Sequence, residues 1–238
     1  LNVTIQPVSN ALSRLLIDVR EMVQETEAQS RLRGQHLLAE IVKQAQEAGV
    51  GATTAEVAVP PALLAETAAG RARYFDVSLL GWEASSATCR TAAEAVVFGS
   101  GRPAILLPEP NPAKTFDHVA IAWDGSRSAA RAVADARPFI ERAARVTVLT
   151  LTGEKRIGEG AAERLAAALK DSGVQAEAAI LDIGRAAIGE KLQASAVERG
   201  CGLLVMGGYG HSRLRDFVLG GATAGVLDDL LLPVLLSH

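Results

Sequence analysis

An α/β fold is what this sequence predicts: two tandem units, each an open, mostly parallel sheet covered by helices on both faces. Three observations predict it. Short apolar runs alternate with longer segments of helical apolar spacing along the whole chain, which is the pattern of parallel strands joined by crossover helices. Hydrophobic residues make up 49% of the 238 residues and aromatics only 4%, so the core has to be assembled from Ala, Val, Leu and Ile. Finally, the halves repeat each other. Val3-Thr-Ile matches Val146-Thr-Val, and Ala48-Gly-Val50 matches Ser172-Gly-Val174. Val77-Ser-Leu-Leu-Gly81 matches Leu203-Leu-Val-Met-Gly207, and Arg102-Pro-Ala-Ile-Leu-Leu107 matches Leu232-Pro-Val-Leu-Leu236.

Taken in order, Leu1–Val8 alternates and is rich in β-branched residues, so it reads as a strand. Leu12, Leu15, Leu16, Val19, Met22 and Val23, then Leu37, Leu38, Ile41, Val42 and Ala45, fall at helical spacing. They predict one long or broken amphipathic helix from Asn10 to Ala48, ended by Gly49. Ala52–Val59 is a strand closed by Pro60-Pro61, and Pro61 suits the first turn of a helix reaching Ala69. Asp76–Gly81 is a strand, Thr91–Phe98 a helix and Ala104–Leu107 a strand. Pro108-Glu-Pro-Asn-Pro112 then intervenes. Three prolines in five residues continue neither a helix nor a central strand, so the units run 1–110 and 116–238.

In the second unit His118–Trp123, Val146–Leu151, Ala176–Leu181, Leu203–Met206 and Val234–Leu236 are strands. Ser128–Ala144, Ala161–Asp171, Ala186–Arg199 and Thr223–Leu230 are helices. Phe116–Ala144 has no counterpart ahead of Leu1, so the first unit is expected to lack its opening strand and helix, by truncation or disorder. Ala104–Leu107 and Val234–Leu236 are apolar edge candidates, able to pair between the units or between chains as a homodimer.

The residues suited to chemistry gather where strands end. Two residues separate Gly207 from Gly210, nine separate Gly210 from Gly220, and Gly221-Ala-Thr223 opens a helix. Glycines let backbone N–H groups turn inward on an anion, and a helix start adds free N–H groups and the positive end of its dipole. Such a stretch makes a phosphate cradle. The same glycines also suit a pair of tight turns leaving a strand. Upstream, Val119-Ala-Ile-Ala-Trp-Asp124-Gly125-Ser126 is a strand ending in a polar turn before an Ala-rich helix. Neither motif is the P-loop or the dinucleotide fingerprint.

These two motifs, in this order, resemble those of the universal stress protein family. The resemblance implies a Rossmann-like fold with strand order 3-2-1-4-5 in each repeat, the two repeats packing as a pseudo-dimer. That order sets the first and fourth strands side by side where it reverses, the place where ligands bind in open α/β sheets. In members that bind ATP, the Asp after the first strand contacts adenosine, the end of the second strand helps hold adenine, and the glycine loop holds ribose and phosphates. Carried onto this chain, the implied contacts are Asp124 with Gly125, Leu151 or Thr152, and then Gly207, Gly210, His211, Gly220, Gly221 and Thr223. The implied ligand is ATP, or AMP or ADP, with magnesium only as its companion.

The chain departs from that pattern at two places. The family carries Ser or Thr directly after the third glycine, where this chain has Gly221; one lost hydrogen bond costs about 1 kcal/mol, and Thr223 is the substitute hydroxyl. In the first half Trp82-Glu-Ala-Ser-Ser follows Gly81, with no second and third glycine at the needed spacing. Gly99-Ser-Gly101 runs straight into Arg102-Pro103 and joins a helix to a strand. The first half is therefore expected to be a non-binding partner.

Composition removes other classes. A net charge of −3 gives no basic field for nucleic acid, and no apolar run is long enough to span a membrane. Cys89 and Cys201 form no Cys-x-x-Cys pair, which fits a reducing cytoplasm, and Cys201 before a strand reads as a small hydrophobe. His36, His118 and His238 show no metal-ligand spacing. Asp228 and Asp229 diverge on a helix. His211 and Ser212 lack a third group for a triad, and with Arg213 and Arg215 they read as a solvated turn. Trp82 and Trp123 follow strands, where packing is the ordinary role. The expected function is a stress-response protein with a regulatory adenine nucleotide in its second repeat and at most slow hydrolysis, its protein partners unnamed. The rival is an interaction module with both crevices vestigial, which Gly221 and the degenerate first half favour; a hydrolase using His211 ranks last.

Overall fold

Seven apolar runs between Ser78 and Ser237 pair into a single sheet, because strands buried on both faces satisfy their peptide groups only in a ladder. The computed structural model describes residues 3–4, 19–109, 115–153, 157–184, 186–208 and 221–238, with backbone alone at 3–4, 19–23, 221–222 and 224. By packing, the chain divides into Leu1–Ala68 and Ala69–His238.

In the first of these, β1 (Val3–Thr4) pairs in parallel with β2 (Val57–Ala58). The strand expected over Ala52–Val59 is thus only two residues long, since Val3 and Thr4 are the only ladder partners it has among the described residues. Between them runs α1 (Val19–Glu47). It stops as expected at Gly49, whose φ of 67° is a left-handed value that glycine adopts without a Cβ clash. The Asn10–Asp18 portion of that helix lies outside the described residues. Leu32, Leu37 and Ile41 are all exposed, so the apolar stripe of α1 is only partly covered. A 3-10 turn (Pro61–Leu63) leads into α2 (Leu64–Ala72), in place of a helix starting at Pro61.

The larger unit contains β3 (Ser78–Trp82), α3 (Ala87–Gly99), β4 (Ala104–Pro108), β5 (His118–Ala122), α4 (Arg127–Asp135) and α5 (Arg137–Ile140). It continues with β6 (Arg145–Thr152), α6 (Ala161–Asp171), β7 (Ala176–Asp182), α7 (Ile188–Glu198), β8 (Leu203–Gly207), α8 (Gly221–Asp228) and β9 (Val234–Ser237). The sheet order is β3-β4-β9-β8-β5-β6-β7. Read from β7 to β9, this is the 3-2-1-4-5 order expected of the second repeat. Every pair of neighbours is parallel except β4 and β9, which run antiparallel with Ala104 opposite Leu236 and Leu106 opposite Val234. The two edge candidates therefore pair with each other, within one chain.

The helices follow local chemistry. Ser86 accepts from Cys89 N–H at 3.3 Å, so α3 starts at Ala87, ahead of the expected Thr91. The single helix expected over Ser128–Ala144 is two, because Pro138 has no N–H to give the carbonyl of Ala134. Strand alternation sends Val119, Ile121, Val146, Val148, Leu203, Val205, Leu235 and Ile105 to one face, where they meet Ala132, Ala136, Ile140, Ala162 and Ala166 of α4–α6. Cys201 is buried, and that burial pushes its thiol up to about 11, consistent with a small inert hydrophobe.

A polar chain crosses the amino ends of three strands. His118 Nε2 stands 2.8 Å from Thr147 Oγ1, which donates to Glu177 Oε1 at 3.2 Å, and Arg145 donates to the same oxygen at 2.5 Å. Burial, then the Arg145 charge, hold the His118 pKa below the ordinary 6.5, against weaker support from the Arg199 carbonyl and Glu177. A depressed folded-state value means the neutral ring contributes stability that is complete above the free-imidazole range and lost as the pH falls below it. Thermal midpoints measured between about pH 7.5 and about pH 5.5 are expected to fall more for the wild type than for His118→Gln.

Candidate functional site

The winding of the chain reverses between β5 and β8. From β5 it passes outward through β6 to β7, and from β8 it passes the other way to β9. β5 and β8 are parallel neighbours, with Val119 opposite Leu203 and Ile121 opposite Val205. Their carboxyl ends therefore open side by side at the kind of crevice where α/β sheets take ligands.

At the end of β5, Ser126 N–H donates to Asp124 Oδ1 at 3.0 Å, and Ser126 Oγ accepts from Ala129 N–H at 3.1 Å. Gly125 between them has φ 73°, a left-handed value costly for a residue with a Cβ. Asp124-Gly125-Ser126 thus converts a strand into a capped helix, with the carboxylate half-buried at the turn.

At the end of β8, the glycine has a structural reason that spacing alone does not disclose. A Cβ added to Gly207 would lie 2.5 Å from the carbonyl carbon of Ser128 and 2.6 Å from the nitrogen of Ala129. The first turn of α4 rests directly on the strand. A Cβ on Gly81, the matching residue of the first half, would meet nothing within 4 Å. Next to Gly207, Gly208 N–H donates to the Ser237 carbonyl at 2.7 Å, and its own carbonyl lies 2.9 Å from His238 Nδ1.

The wall of the crevice is β6. β5 is paired only as far as Ala122 opposite Leu149, whereas β6 remains paired with β7 to Thr152 opposite Asp182. Leu151 and Thr152 overhang accordingly. Thr150 Oγ1 donates to the Trp123 carbonyl at 2.8 Å, fixing the end of β5, and Thr152 Oγ1 donates to the Leu181 carbonyl at 3.3 Å. Trp123 packs half-buried on the main core.

Of the remaining candidates, Gly221 is the first residue of α8 and Thr223 is buried within its opening turn. Gly210, His211 and Gly220 lie outside the described residues, as do Ser212, Arg213 and Arg215. Among the described residues no group of His, Cys, Asp or Glu could hold a metal ion, and no helix is long and apolar enough to cross a membrane.

Two side-chain contacts at the carboxyl end of α8 lie beyond the sequence reading. Gln193 of α7 is buried; its Nε2 donates to the Asp229 carbonyl at 2.7 Å and its Oε1 accepts from Leu231 N–H at 2.9 Å. The signal for it was an amide among the apolar positions Leu192 and Ala196. Trp82 was read as packing, but its indole also donates a hydrogen bond to Leu227.

No family model and no curated protein matches the chain. Among solved structures, a universal stress protein from Archaeoglobus fulgidus superimposes with a TM-score of 0.72 at 16% identity, covering 99% of this chain and 83% of the other. The fold is that of the universal stress proteins. A putative universal stress protein from Pseudomonas aeruginosa UCBPP-PA14 has the same fold, with a TM-score of 0.56 at 13% identity, over 99% and 91% of the two chains. So does a protein of unknown function from Pseudomonas aeruginosa PAO1, with a TM-score of 0.58 at 12% identity and the same coverage. At this similarity the universal stress protein fold accounts for the architecture, and the chemistry has to be argued from the residues.

Proposed function

We propose that this chain is a two-repeat stress-response protein that binds ATP, ADP or AMP as a regulatory ligand at the crevice between β5 and β8. The observation that carries the reading is the meeting of the Asp124 turn and the Gly207-Gly208 stretch at the reversal of the sheet. A carboxylate there accepts hydrogen bonds from ribose hydroxyls or an exocyclic amine. The Gly208 N–H is held by the Ser237 carbonyl, so the glycine-rich sequence that follows it would bring the backbone N–H groups to phosphates. Residues 124 and 125, 151 and 152, and 207 onward through Thr223 would make the contacts, with magnesium entering only with the nucleotide.

The test is direct. Protein is purified and denatured, the released small molecules are identified, and the emptied protein is titrated with ATP and magnesium. Saturable binding is expected, weakened about tenfold or more by Asp124→Ala, since hydrogen bonds to charged groups are worth about 1.5–3 kcal/mol, and abolished by Gly210→Val. No release and no binding up to millimolar ATP would sink the reading. A second reading then takes over: an interaction module, favoured by the packing of Gly207 against α4, which gives that glycine a purpose without any ligand.

A further inference from the structure

Helix ends leave carbonyls without partners, and at the carboxyl end of α8 the partners come from a strand, β3, and from another helix, α7. Trp82, 4% exposed, donates its indole N–H to the Leu227 carbonyl at 3.1 Å. Arg90 of α3 lies 5.6 Å from the centre of that indole and 3.7 Å from Asp228 Oδ1. From α7, Gln193 holds the Asp229 carbonyl and the Leu231 N–H. The end of α8 and the turn that follows it are thus held by β3 and α3 of the first repeat and by α7 of the second.

Repeat equivalence gives the contact its meaning. With Gly81 matching Gly207, Trp82 stands where the second half has Gly208. Across the antiparallel β4–β9 pairing each of these residues faces a helix of the other repeat. Trp82 meets Leu227, the penultimate residue of α8, and a Cβ on Gly208 would come within 3.1 Å of the ring of Phe98, the penultimate residue of α3. The two contacts are counterparts. In the second half the position stays a glycine, and the chain continues into the glycine-rich stretch. In the first it has become a buried indole that fills the place where a cradle would begin and bonds to the opposite helix.

We infer that Trp82 is a positioning residue: it fixes α8, and through that short rigid helix it sets the placement of Gly221 and Thr223 at the nucleotide crevice of the other repeat. This rests on the proposed nucleotide reading for its ligand, but not for the clamp itself. The first repeat is then a brace for the second one's site, and its lack of a cradle is the cost of that role.

The experiment compares wild type, Trp82→Phe, which keeps the apolar bulk and removes the N–H, and Ile105→Val, which loosens the opposite face of the same sheet away from α8. Hydrogen exchange is followed for residues 221–231, and ATP affinity is measured by calorimetry. For Trp82→Phe, exchange in 221–231 is expected to accelerate about fivefold, the loss of one hydrogen bond, with ATP bound more weakly by a similar factor. Ile105→Val should change neither selectively. Unaltered exchange in Trp82→Phe overturns the clamp. Faster exchange with unaltered affinity overturns the positioning role. If the wild type binds no ATP, the nucleotide reading fails on its own, and the exchange result still decides whether Trp82 holds α8.

Discussion

Gly207→Ala is expected to lower the unfolding free energy by about 3 kcal/mol, at the top of the range for forcing extra atoms into a packed interior. The added methyl would fall 2.5–2.8 Å from the backbone of Ser128 and Ala129, and backbone cannot rotate away as a side-chain tip can. Relief requires α4 to lift from β8, which would also pull on the Asp124 turn. The comparison that makes the result interpretable is Gly225→Ala in α8. There the nearest atoms are the backbone of Gly189 at 3.7 Å, an ordinary contact, and alanine favours a helix over glycine by about 1 kcal/mol. Urea titrations should therefore shift in opposite directions. A Gly207→Ala protein as stable as the wild type would mean that α4 does not rest on β8.

Leu235→Ala carries the second large effect. Leu235 is 0% exposed, lies on β9 opposite Ile105 of β4 and Val205 of β8, and belongs to the main core. Truncating it should cost about 2–5 kcal/mol, the lost transfer energy plus the cavity left behind. Leu231→Ala, at a residue 40% exposed, should cost under about 1 kcal/mol. Equal losses at the two positions would contradict β9 as an interior strand.

Much of this architecture was written in local patterns. Apolar runs bounded by Gly and Pro marked the strands of the larger unit to within a residue or two, and the motifs at Asp124 and Gly207 pointed to the two strands that turned out adjacent. What sequence could not supply was distance. Spacing marked Gly207 as a candidate ligand contact but carries no record of α4 lying against it. The break at Pro138 was legible in principle, since a proline inside a helical pattern removes an N–H, but the expected helix ran through it. The choice between pairing β4 with β9 or with another chain depended on three-dimensional closure, to which edge hydrophobicity is blind. Gln193 binds backbone groups 33 to 38 residues away in sequence, and the indole of Trp82 donates to a carbonyl 145 residues away, beyond any periodicity.

The β4–β9 pairing also sets an order of events during synthesis. β3 and β4 emerge early, yet the strand that covers the free side of β4 is β9, made after every other strand of the sheet. At about 5–20 residues per second, β4 waits on the order of ten seconds with an apolar edge unpaired, and such edges recruit other chains. A nascent protein of this design is most exposed to aggregation, and most in need of a holding chaperone, in the interval after the second half has begun to fold and before its closing strand arrives.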